Sequence, residues 1–97
     1  MSDKPAQTKH KLTISEEHRD SSISECLRQA LDEYFDRLNG YDPTDLYGIV
    51  MKEIEPPLLK ITLKRTGGNQ TKAAKFLGIN RSTLRKKLRQ YGINAAG

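Results

Sequence analysis

The chain has 97 residues, 35% hydrophobic and without Trp, and a net charge of +5. That length limits it to one small domain with a thin core, since domains usually hold ~100–150 residues, and small domains often recruit a second copy to bury more surface. Its single cysteine, Cys26, excludes an intrachain disulfide framework, no apolar run is long enough to span a bilayer, and the first residues lack the apolar centre of a signal peptide. A soluble protein of the reducing cytoplasm, with no membrane partner, is therefore expected.

Residues 1–21 are polar and poor in large apolar groups, so they are expected to form a mobile arm. Leu12-Thr13-Ile14-Ser15 alternates and could add a weak strand. A first helix is expected from Ser22, an N-cap with Glu25 three residues on in capping-box spacing. Ile23, Leu27, Ala30, Leu31, Tyr34, Phe35 and Leu38 form its apolar stripe, and Asn39-Gly40 ends it.

Asp42-Pro43 is expected to open the second helix, with Asp as N-cap and Pro at the first helical position. Its apolar residues, Leu46, Tyr47, Ile49, Val50, Met51, Ile54, Leu58, Leu59, Ile61 and Leu63, cover much of the circumference. A helix apolar nearly all round is buried nearly all round, and in so short a chain a second copy is the natural cover. Pro56-Pro57 either kinks this helix or breaks it, because proline removes a backbone donor and clashes with the preceding turn. Gly67-Gly68 stops it. The chain thus divides into the arm at 1–21, a helical dimerisation core at 22–66 and a helix-turn-helix at 67–97.

Asn69 is expected to cap a third helix, Gln70 to Leu77, packing through Ala73, Ala74 and Leu77. Gly78 supplies the turn, Ile79 plugs the corner, and Asn80 caps a fourth helix from Arg81 to about Tyr91. The fold class expected is therefore all-α, four helices per subunit, ending in a helix-turn-helix.

Charge is divided sharply along the chain. Residues 1–55 hold 7 Lys/Arg against 12 Asp/Glu, whereas residues 56–97 hold 10 Lys/Arg and no acid. Such asymmetry points to a polyanion partner for the basic half. With about 100° per residue, Leu84, Leu88 and Tyr91 share the packing face of the fourth helix. The opposite face carries Ser82, Arg85, Lys86 and Arg89, flanked by Arg81, Thr83 and Lys87. In helix-turn-helix docking, the N-terminal end of the second helix meets base edges in the major groove of double-stranded DNA. Asn80, Arg81 and Thr83 hold that position, and Arg and Asn can bond guanine and adenine in bidentate fashion. The other cations suit phosphates, and Asn69, Gln70 and Thr71 at the start of the third helix are placed to hold one more.

Catalysis finds little support. His10 and His18 lack zinc-site spacing, and Gly67-Gly68-Asn69-Gln70-Thr71-Lys72 lacks the glycine spacing of a phosphate loop. No cofactor or metal is expected, nor an enzyme. An RNA chaperone would need exposed aromatics for stacking. Phe76 and Tyr91, the two aromatics of the basic half, are both expected to be buried. A regulator working through protein contacts, with secondary DNA affinity, is the other alternative.

Several segments resemble the Fis family, bacterial nucleoid-associated proteins: Gln29-Ala30-Leu31, Tyr34-Phe35, Leu38-Asn39-Gly40, Asp45-Leu46-Tyr47, Pro57-Leu58-Leu59, Gly68-Asn69-Gln70-Thr71, Gly78-Ile79-Asn80-Arg81, Thr83-Leu84-Arg85-Lys86-Lys87-Leu88 and Tyr91-Gly92. The same helix-turn-helix closes the larger NtrC-type activators; standing here behind a short segment that begins with Met, it favours a free-standing Fis. The resemblance implies a homodimer whose first two helices intertwine between subunits. It implies recognition helices closer than one DNA turn, so that the duplex bends and specificity rests on deformability. By position, Asn80 and Arg81 take the base-edge role, and Asn69, Gln70, Thr71, Thr83, Arg85, Lys86, Lys87 and Arg89 take backbone roles. It further implies a nucleoid location in the bacterial cytoplasm, transcription regulation, contact with RNA polymerase, and enhancement of recombination by DNA invertases. The chain departs from the family pattern at Gly67, where members often carry an Arg implicated in polymerase contact, at Gln90, where a cation is common, and in the N-terminal arm.

Overall fold

A computed structural model of the chain describes Leu12 and residues 22–94. The remainder of the expected arm, with His10, His18 and the rest of the strand expected at Leu12–Ser15, lies outside the described residues. Four α-helices follow in order: α1 (Ile23–Leu38), α2 (Leu46–Arg65), α3 (Gln70–Leu77) and α4 (Arg81–Tyr91). The fold is all-α, as expected. It forms two compact units, one ending at Pro43 and one running from Thr44.

In the first unit, Ser22 caps α1 by accepting the Glu25 N–H on its hydroxyl oxygen at 3.1 Å. The Ile23 N–H donates to the Leu12 carbonyl at 3.3 Å. Asn39, at φ 56°, takes the left-handed conformation that closes the helix, so the expected stop falls one residue before Gly40. No residue of α1 is buried in the single chain, and Phe35 in its apolar stripe is 45% exposed.

In the second unit α2 starts later than Asp42-Pro43 implied. Asp45 is the N-cap, its carboxylate accepting the Gly48 N–H at 3.3 Å. Asp42 and Asp45 compete for one role, and the nearer of them makes the cap bond. The helix then runs unbroken through Pro56 and Pro57. Each proline leaves the carbonyl four residues back without its helical donor, a local cost that the packing of Leu59 and Leu63 immediately downstream offsets. At its end the Gly68 N–H reaches back to the Leu63 carbonyl at 2.8 Å and the Gly67 N–H to Lys64 at 3.2 Å, with Gly67 at φ 64°. That paired closure needs a left-handed residue, and Gly67 adopts it without strain.

One core serves this unit. Leu59 and Leu63 of α2, Ala73 and Ala74 of α3, and Leu84 and Leu88 of α4 are all buried, and Leu77, Ile79, Tyr91 and Ile93 pack against them. The two alanines permit close approach of the helices. Packing is therefore continuous across residues 66 and 67. Buried Thr66 sits at this junction, its hydroxyl within 3.1 Å of the Thr62 carbonyl and 3.3 Å of the Asn69 carbonyl. Leu84 is fully enclosed. Leu84→Ala should cost about 2–5 kcal/mol in unfolding free energy, read by urea denaturation, because the site cannot collapse around a lost isobutyl group.

Candidate nucleic-acid interface

The turn between α3 and α4 is set by backbone chemistry. Gly78 takes φ 75°, letting its own N–H return to the Ala74 carbonyl at 2.8 Å and the Ile79 N–H to the same carbonyl at 3.1 Å. Ile79 is thereby turned onto the core and Asn80 left outside it. At the start of α3, the Asn69 side chain accepts the Lys72 N–H at 3.0 Å, which orders the first turn.

Asn80 stands at the N-cap of α4 in extended conformation, but its side chain makes no capping bond. The expectation that it acts as a cap is thus corrected: position and backbone fit, and the amide is not engaged there. Next to it, the Arg81 guanidinium donates to the Thr71 hydroxyl at 3.1 Å. That bond joins the N-terminal ends of α3 and α4, so two residues ten apart in sequence meet. Gln70, Arg85 and Arg89 line one open cleft together with Gly92, Ile93 and Asn94. Arg85, Lys86 and Arg89 are exposed, and Thr83 is half-buried. Of the ten candidate residues, nine are thus carried by the starts of α3 and α4 or by the outward face of α4.

Lys87 differs. Its ammonium lies 2.8 Å from Oε2 of Glu55 on α2, and the Tyr91 hydroxyl donates to the other carboxylate oxygen. The Lys87 hydrogen bond, then that from Tyr91, hold the Glu55 carboxyl below the usual range, and the same carboxylate pushes the Tyr91 phenol up to about 12. Lys87 is therefore not the unpaired cation its place in the basic run suggested. Glu55 escaped the sequence reading because it lies 32 residues away on another helix. The one available signal was that it is the last acid in the chain.

Phe76 also departs from expectation. It is 63% exposed, whereas Tyr91 packs against the core with its hydroxyl on Glu55. Among the described residues no group of three or more His, Cys, Asp or Glu side chains is placed to hold a metal ion, and no helix is long and apolar enough to cross a membrane.

Residues 50–91, spanning most of α2 through the end of α4, match the family described as "Bacterial regulatory protein, Fis family". Over 72 residues the chain is 53% identical to the DNA-binding protein Fis of Proteus mirabilis, covering 74% of each protein. It shares the same identity and coverage with the DNA-binding protein Fis of Yersinia pestis. It is 55% identical over 71 residues to that of Psychromonas ingrahamii, covering 73% of this chain and 72% of the relative. Identity above one half over nearly three-quarters of the chain, together with a family match that spans the helix-turn-helix just described, establishes that the chain belongs to the Fis family.

Proposed function

We propose that the protein is a homodimeric DNA-binding and DNA-bending regulator of the bacterial nucleoid, acting by binding rather than catalysis. One observation carries this most directly: the starts of α3 and α4 are tied together through Thr71 and Arg81, beside an Asn80 amide not used in capping. That end of a helix-turn-helix meets base edges. Asn80 and Arg81 are assigned to bases, and Asn69, Gln70, Thr71, Thr83, Arg85, Lys86 and Arg89 to the sugar-phosphate backbone. The relatives' own designation as DNA-binding proteins supports the same assignment.

Dimerisation is supported by apolar surface that the single chain leaves open. The α1 stripe has no buried member, and on α2 Leu58 and Ile61 are exposed, Ile61 by 58%. Solvated leucine and isoleucine at helical spacing call for a partner. A second copy whose first two helices intertwine with these would cover them, with residues 22–66 as the dimerisation region and 67–97 as the DNA-binding region. Two recognition helices set closer than one turn of duplex would then require the DNA to bend. Recombination enhancement through an invertase and contact with RNA polymerase belong to the same reading, although Gly67 presents no side chain at the turn where members of the family often carry Arg.

A circular-permutation gel shift on an A/T-centred duplex, paired with sedimentation at micromolar protein, tests the proposal. A dimer whose complex migrates slowest with the site at mid-fragment is expected. A stable monomer overturns the dimer, position-independent mobility overturns bending, and an unshifted duplex overturns DNA binding.

A further inference from the structure

The recognition helix is held along one face. It has 11 residues, and its buried anchors are Leu84 and Leu88, one turn apart. Apolar contacts along one face, from Leu84 and Leu88 with half-buried Tyr91 beside them, fix where a helix lies better than how it is rolled about its own axis. Roll is what decides which side chains reach the groove.

A third hold exists on the flank. Lys87 and Tyr91, also one turn apart, grip the two oxygens of a single carboxylate, Glu55 of α2. The cluster is partly shielded, with the Glu55 side chain 18% exposed and that of Lys87 31% exposed. Tyr47, Met51, Lys52 and Gln90 line the cleft around it. At about 100° per residue, Arg85 and Arg89 each lie about 160° around α4 from Lys87. A side chain on that flank cannot share a phosphate track with the outward cations while its ammonium rests on Glu55.

We propose that Glu55 is a positioning residue for DNA recognition: by pairing with Lys87 and Tyr91 it withdraws Lys87 from the phosphate contacts and fixes the roll of α4 on α2. The inference rests on the duplex-binding function proposed above. It assigns Lys87 differently from the other cations of α4, and the difference is measurable. An ammonium neutralised inside the protein releases no DNA counterion, so it adds nothing to the salt dependence of binding.

The test compares wild type, Lys87→Gln, Lys86→Gln and the exchange variant Glu55→Lys/Lys87→Glu on one A/T-centred duplex by fluorescence anisotropy across a salt series, with thermal melts as a folding check. Lys87→Gln should weaken binding about twofold to thirtyfold, the range for a network residue that touches neither ligand, with the slope of log affinity against log salt unchanged. Lys86→Gln should flatten that slope by nearly two units, about 0.9 from each copy. The exchange variant should recover most of the affinity lost by Lys87→Gln. Three results overturn the proposal: a slope for Lys87→Gln flattened like that of Lys86→Gln, an affinity for Lys87→Gln equal to wild type, or a folded exchange variant that binds worse than Lys87→Gln. If the exchange variant does not fold, the slope of Lys87→Gln decides alone. A wild type that leaves the duplex unbound removes the DNA-binding function itself, which is a separate outcome.

Discussion

Arg81→Ala should weaken duplex binding more than any other single truncation on α4, by about tenfold to a hundredfold for each half-site, while the protein stays folded. Arg81 is the first residue of α4, exposed, with its guanidinium held 3.1 Å from the Thr71 hydroxyl. Alanine is a strong helix former and buries nothing, so the change leaves the core of Leu84 and Leu88 untouched. What it removes is a planar fork of donors at the place where a helix-turn-helix meets base edges, and a bidentate Arg–guanine pair is worth ~1–3 kcal/mol of discrimination. Because a dimer carries the change twice, the loss compounds across the two half-sites. Titration against duplexes that differ at one base pair separates two ways of losing affinity. A base reader loses its preference at that pair, whereas a phosphate contact loses affinity equally for every sequence. Unchanged affinity for all duplexes would remove Arg81 from the interface. Arg85→Ala, on the outward face one turn on, should weaken binding more modestly and evenly across sequences.

How much of this was legible beforehand depended on whether a feature is local. The caps at Ser22 and Asn69 and the glycine turn at Gly78 act within one or two turns of chain, and the structure places them where the residue types indicate. Local signals failed where two competed or where packing intervened. Asp42-Pro43 is a strong helix opening, yet Asp45 makes the cap bond. Pro56-Pro57 carries a real local penalty, yet α2 continues because Leu59 and Leu63 beyond it are buried against α3 and α4. Phe76 follows helical spacing onto a face that nothing in its own unit covers, and an aromatic side chain alone does not guarantee burial. The Asn80 side chain illustrates a finer limit: the residue type predicts an N-cap position correctly without determining whether the side chain makes the bond. Contacts between distant helices were the least visible. Arg81 with Thr71 and Lys87 with Glu55 both join different elements, and no periodicity within one helix reports such a pair.

Salt should act on this protein more strongly than any single substitution. Arg85, Lys86 and Arg89 are exposed on α4, and with the base-assigned Arg81 they give two copies about six to eight cationic contacts that displace counterions. Each releases ~0.9 of a counterion from B-form DNA, so log affinity should fall against log salt with a slope of about −5 to −7. Between 50 and 200 mM salt the loss is then on the order of 10³- to 10⁴-fold, measured by anisotropy on one duplex with protein and DNA otherwise unchanged. A slope shallower than about −2 would mean that the acid-free half of the chain does not sit along a phosphate backbone, and would favour a regulator acting through protein contacts. A slope near −9 would require about ten contacts, more than the outward face of α4 provides from two copies. It would return Lys87 to the DNA and leave Glu55 as a carboxylate displaced on binding. The intermediate value is expected because the last acid in the sequence already neutralises one of the cations that follow it.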